Sequence, residues 1–145
     1  MTIYDEQNIF ARIIRGEIPA QRIYEDAATI ALMAAMPQCD GHALVFPKAA
    51  SRNLLDIDPE VLAATMRTAQ RIARAAMQAF AADGVNVMQF NEAAAGQTVF
   101  HTHVHVIPRH TGTPLKRHAN EMAAPDALAQ HAAAYRQALA SMGDA

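Results

Sequence analysis

The chain predicts an α+β fold: a mostly antiparallel sheet of about five strands, one long helix and a C-terminal helix. Three observations lead there. Short strand-like runs follow one another across tight turns. A single long amphipathic stretch interrupts them, and a second helical pattern closes the chain. Strands joined this way favour antiparallel pairing over alternating βαβ units.

The first amphipathic segment is Glu6 to Arg15, where Ile9, Phe10, Ile13 and Ile14 recur at helical spacing, Gly16 suits the C-terminal cap and Pro19 blocks continuation. Strand-like runs follow at Gln21–Glu25, Thr29–Met33 and His42–Phe46, the last entered from Asp40-Gly41 and closed by Pro47. The long helix runs from Pro59 to about Ala82. Asp58 is its cap, Pro59 its first residue, and Leu62, Met66, Ala69, Ile72, Ala73, Ala76, Met77 and Phe80 its apolar stripe. Arg67, Gln70, Arg71 and Arg74 fall largely off that stripe. Val85–Phe90 reads as a strand, Asn91–Thr98 as a small-residue loop and Val99–Ile107 as a strand stopped by Pro108. The last helix spans about Pro125 to Ser141, with Leu128, Ala132, Tyr135, Leu139 and Met142 inward and Gly143 beyond its end. Met33, Met36, Met66 and Met77 read as gap-fillers in a core.

Composition bounds the function. With 145 residues and 52% hydrophobic content, the chain suits one domain over residues 1–145. Lys plus Arg number 12 against 14 Asp plus Glu, a formal charge of −2, which argues against a broad nucleic-acid footprint. Local donors can still hold a small anion. The one cysteine, Cys39, offers no intramolecular disulfide and no multi-cysteine zinc site, so a reducing cytoplasm is the expected compartment. The N-terminus lacks a signal-peptide pattern, and the best apolar stretch, Ala27 to Pro37, is far short of the ~20 residues a membrane span requires.

Four of the seven histidines fall within Phe100 to His110. In His101-Thr102-His103-Val104-His105-Val106-Ile107, a period of two puts the three imidazoles on one face and Thr102, Val104 and Val106 on the other. Neighbouring imidazoles would sit about 6.6 Å apart at Cα, close enough to converge on one tetrahedral group. Two chemistries follow: imidazoles spaced this way can ligate a transition metal, or one can be a nucleophile that its neighbours orient. The approach, Ala93-Ala94-Ala95-Gly96-Gln97-Thr98, favours the second. Its small residues let backbone N–H groups reach phosphate oxygens, while the Gln97 amide and Thr98 hydroxyl add neutral donors.

The run from Ala95 through Arg109 resembles the signature of the histidine triad (HIT) family, specifically its Hint-like branch. Further similarity lies in Ile9–Pro19, in Pro37 with Gly41–Lys48, and in Asn53-Leu54-Leu55, so the match covers roughly residues 8–110. The resemblance implies a nucleotide hydrolase in which the middle histidine, His103, attacks an α-phosphorus and forms a nucleotidyl-histidine. His101, His105 and His42 would complete the catalytic set, and Gly96, Gln97 and Thr98 the phosphate contacts. Ile9, Phe10, Ile13, Ile18 and Leu32 would line a slot for the base, with Asn91 near the sugar. It also implies a purine nucleotide or nucleotide conjugate as ligand, a homodimer, and no cofactor. Nucleoside phosphoramidates lead as substrates; dinucleoside polyphosphate hydrolysis, or nucleotide binding without turnover, are the alternatives.

The chain departs from the family pattern at three places. Ala34 stands where an aspartate usually chelates the ribose hydroxyls, Asn8 and Ala11 where many bacterial relatives carry zinc-binding cysteines, and Ala50 where a further histidine is common. No metal is expected. His110 and His118 read as solvated, with Arg109, Lys116 and Arg117 as nearby positive charge; His131 has no assigned task, and Cys39 reads as a packing residue.

Overall fold

Two central strands buried on both faces set the architecture. In the computed structural model, which describes residues 3–116 and 121–143, β2 (Thr29–Met33) and β3 (Ala43–Pro47) are buried along their whole length. Around them lie β1 (Arg22–Glu25), β4 (Gly84–Met88) and β5 (Val104–Arg109). The sheet has five strands in the order β1-β2-β3-β5-β4, every neighbouring pair antiparallel. The expected α+β class is the observed one. Arg117 and His118 lie outside the described residues.

Alternating side chains of β2 and β3 feed two separate cores. Ala31, Met33, Ala43 and Val45 pack with Val104 and Val106 against α2 (Pro59–Ala79) and α3 (Pro125–Met142). Ile30, Leu32, Leu44 and Phe46 point the other way, toward Phe10 and Ile13 of α1 (Ile9–Ile14). The helix face is rich in alanine, with Ala69, Ala75, Ala76, Ala132 and Ala138 all buried, so the helices sit close to the sheet.

Local signals account for most element boundaries. Asp58 accepts from the Glu60 and Val61 N–H groups, with Pro59 in the first turn. α1 begins at Ile9 rather than Glu6, because Asn8 caps it by accepting from the Ala11 N–H at 2.9 Å. α2 ends at Ala79, three residues before the expected stop, and Ala81 has φ +46°. The stripe is also rotated from the expected one. Thr65, Thr68 and Ala75 are buried, while Met66 and Met77 are about two-fifths exposed; Met36 is exposed as well, so Met33 is the core methionine of the four.

The largest correction concerns the histidine segment. Regular strand begins at Val104, not Val99, and continues through Pro108 to Arg109. Proline is tolerated there because pairing with β3 ends at Val106. The Pro108 carbonyl faces Cys39 on that open side, accepting from Sγ at 3.1 Å, so the missing N–H interrupts no ladder bond.

Candidate active site

His103 is nearly buried and its ring orientation is fixed. Its Nδ1 lies 2.7 Å from the His101 carbonyl oxygen, so Nδ1–H donates and the lone pair remains on Nε2. Phe10 meets the ring edge-on at 4.9 Å. Burial pushes the imidazole below its ordinary value, only partly offset by the carbonyl bond, which keeps it neutral near pH 7. A neutral imidazole with one nitrogen tied back is the form a nucleophile requires.

The other three histidines divide into two roles. His101 is fully buried between Phe46, at 5.6 Å, and Phe10, at 6.3 Å. Its Nε2–H donates to the Pro47 carbonyl at 2.7 Å, and its Nδ1 accepts from the Tyr4 hydroxyl at 2.5 Å. Burial pushes its pKa down to about 4. With both nitrogens engaged inside the core, His101 does not converge with its neighbours on one group. It holds the carbonyl that orients His103.

His105 and His42 form a second pair. The Gln38 N–H donates to His42 Nδ1 at 3.0 Å, so the His42 proton sits on Nε2 and is donated to His105 Nδ1 at 2.9 Å. That leaves the His105 proton on Nε2, with its ring centroid 5.0 Å from that of His103. Gly41 makes this possible. Its φ is +88°, and a Cβ there would lie 2.8 Å from the Phe80 ring, so only glycine fits the turn that delivers His42.

The small-residue loop contains a short 3₁₀ turn, Ala93–Ala95, closed by Gly96 at φ +101°. Its anchor was not legible in advance. Arg52 clamps Glu92 through two 2.8 Å hydrogen bonds and stacks over Phe100 at 4.1 Å. Glu92 has φ +75°, a conformation that favours glycine, and its carboxylate is pulled down to about 2 by Arg52 and Asn53. Gln97 is also consumed by this clamp. Its amide donates to the Arg52 and Val99 carbonyls, and its oxygen accepts from Asn53 and from the Glu92 N–H. Gln97 therefore braces the loop, while Gly96 and Thr98 are the exposed residues at its end. Asn91 lies alongside, its side-chain oxygen accepting from the Leu54 N–H and from Gln89.

Ile9, Phe10, Ile13, Ile18 and Leu32 do come together, lining a cleft of about 490 Å³ whose Phe10 wall also meets the rings of His101 and His103. Ala34 is buried in the cluster beneath, with its N–H donating to the His42 carbonyl. Cys39 is half-buried with its thiol pushed up to about 11, in keeping with a packing role. Among the described residues, no group of three or more His, Cys, Asp or Glu side chains is arranged to hold a metal ion.

An antiparallel sheet whose penultimate turns deliver a fixed, neutral imidazole beside a glycine-closed loop defines the class. Residues 15–112 match the HIT domain, and the chain belongs to the HIT family. It is 40% identical over 101 residues to adenylylsulfatase HINT3 of Arabidopsis thaliana, a match covering 70% of this chain and 51% of that protein. It is 38% identical over 105 residues to adenosine 5′-monophosphoramidase HNT1 of Saccharomyces cerevisiae, covering 72% and 64% of the two chains. The crystal structure of a HIT-like protein from Bartonella henselae superposes with a TM-score of 0.88 at 50% identity, covering 94% of this chain and 99% of that one.

Proposed function

We propose that this chain hydrolyses nucleotide conjugates at the α-phosphorus, with nucleoside phosphoramidates as the leading class, through a covalent intermediate on His103. The observation that carries this reading is the Nδ1–H bond from His103 to the His101 carbonyl, which leaves Nε2 as the bare nucleophilic atom. Two relatives at about 40% identity are named for cleaving adenylyl conjugates, one a phosphoramidase and one an adenylylsulfatase.

In the first step the Nε2 lone pair forms a bond to phosphorus while the phosphorus–leaving-group bond breaks. The departing amine carries away the bonding pair and takes up a proton from solvent, which the water that attacks in the second step gives back. His105, with its proton on Nε2, stabilises the phosphoryl oxygens, and His42 holds His105 in that tautomer. Water then attacks phosphorus, releasing the nucleoside monophosphate and restoring His103. Gly96 and Thr98 receive the phosphate, and the apolar cleft receives the base by area and shape rather than by hydrogen bonds. With Ala34 in place of a ribose acceptor, binding leans on these two contacts.

The test is turnover of adenosine 5′-phosphoramidate by the purified chain, with and without chelator, beside His103→Ala. Chelator-resistant release of AMP that drops by at least about 10³-fold in the variant is the expected result. Nucleotide binding without turnover would instead favour a non-catalytic role, and chelator-sensitive turnover a metal-dependent one.

The resemblance also carries a homodimer, and among the described residues β4 pairs with β5 alone, leaving an edge of the sheet open with Val87 exposed on it. Sedimentation equilibrium is expected to return twice the monomer mass. Among the described residues no helix is long and apolar enough to cross a membrane, and the lone Cys39, with no partner for an intramolecular disulfide, is the ground on which we propose a cytoplasmic location.

A further inference from the structure

The HIT-matched stretch ends at residue 112, yet one wall of the apolar cleft comes from beyond it. Met122, Ala123, Pro125 and Leu128 line the cleft together with Ile9 and Ile18. This wall is anchored at two points. The Ala123 N–H donates to the Ala35 carbonyl at 3.0 Å, on the loop that leaves β2. The helix that Pro125 begins is locked into the opposite core by Ala132, Tyr135 and Leu139, and the Tyr135 hydroxyl donates to the Gly41 carbonyl at 2.5 Å.

The chemistry of the lining narrows what can enter. Of the fifteen lining residues, Gln21 alone has a hydrogen-bonding side chain, and none is charged. With Gln21 as its one hydrogen-bonding side chain, such a cleft has little means to read the edge of a base or the hydroxyls of a sugar and rewards flat apolar area. Met122 is 69% exposed at the rim, and a thioether there gains most from lying against an aromatic ring.

Resting on the function proposed above, we propose that the segment Met122–Leu128 is a substrate-selecting wall: it packs against the base of a bound nucleotide conjugate, with Met122 as the residue in direct contact. The wall acts on binding and not on the chemical step, because it lines a cleft whose described lining residues include none of the four histidines.

The experiment compares wild type with Met122→Ala on two substrates, adenosine 5′-phosphoramidate and the ribose 5-phosphoramidate that lacks the base. Because Met122 is exposed, the variant should keep the wild-type Tm. The expected result is a KM raised about threefold to tenfold for the adenosine substrate, with kcat unchanged and with no change for the baseless one. Equal changes on both substrates, or no change on either, would overturn the proposal. If wild type turns over neither substrate, the function proposed above fails, and calorimetric binding of AMP against ribose 5-phosphate decides the wall separately. Weaker AMP binding by Met122→Ala with ribose 5-phosphate unaffected supports it; equal affinities of the two proteins for AMP overturn it.

Discussion

The two faces of the sheet are built from the same strands and do opposite things. The face under α2 and α3 is closed, with Ile72, Ala75, Val45, Val106 and Tyr135 buried to 0% exposure. The face under α1 is covered by a helix of only six residues, and the space it leaves beside Phe10 and Leu32 is the cleft. Side-chain size explains the difference. Small residues on the first face let two long helices approach and exclude everything else, whereas Ile, Leu and Phe on the second support a short helix and an open slot. One face supplies stability so that the other can hold buried imidazoles and an exposed apolar surface.

Two substitutions sharpen that contrast. Ile72→Ala removes a fully buried side chain from the closed face and should cost roughly 2–5 kcal/mol in urea unfolding, with kcat/KM for a nucleotide substrate unchanged. Leu32→Ala, on the open face, should cost less because its void merges with the cleft, and should instead raise KM. Equal stability losses together with equal kinetics would show that the faces are not functionally distinct.

The smaller expected effect is acid sensitivity originating on the open face. His101 is neutral in the fold down to about pH 4, while an unfolded histidine takes up its proton near 6.5. Above that higher pH both states are neutral and the full stability is present. As pH falls from about 6.5 toward 4 the unfolded chain binds a proton that the folded one refuses, so stability should decline by on the order of 3 kcal/mol and then level off. His103, depressed in the same direction, steepens the slope. Unfolding titrations between pH 7 and 4 check this, and a flat profile would remove burial of His101 as its cause.

Much of the fold was legible because the relevant signals are local. Asp58-Pro59 marks the start of α2, Gly143 the end of α3, and the alternation of Val104 and Val106 with the histidines puts both valines in the core under the long helices. The site was legible in part. Alternation with the histidines puts Val104 and Val106 in the core behind that segment, and the family resemblance singles out His103 as the proposed nucleophile. The partners that fix its surroundings were not legible, because they are distant in the chain. Tyr4 reaches His101 across 97 positions, and Arg52 reaches Glu92 across 40. The run from Val99 reads as strand because period-two patterning reports side-chain alternation and not backbone course or pairing, whereas Val99 to His101 bend in the structure. Here β3 pairs only from Val104 onward.

Composition and pattern alone determined an antiparallel sheet with a long helix, and an imidazole-rich segment approached by a glycine loop. Those features follow from periodicity and backbone preference, which act over a few residues. Only the packed structure decided that His101 lies in the core while His103 and His105 share a space, that Gln97 braces the loop, and that a segment beyond residue 112 walls the cleft. Such outcomes depend on which distant groups meet and lose water together, and that is a property of the assembled chain.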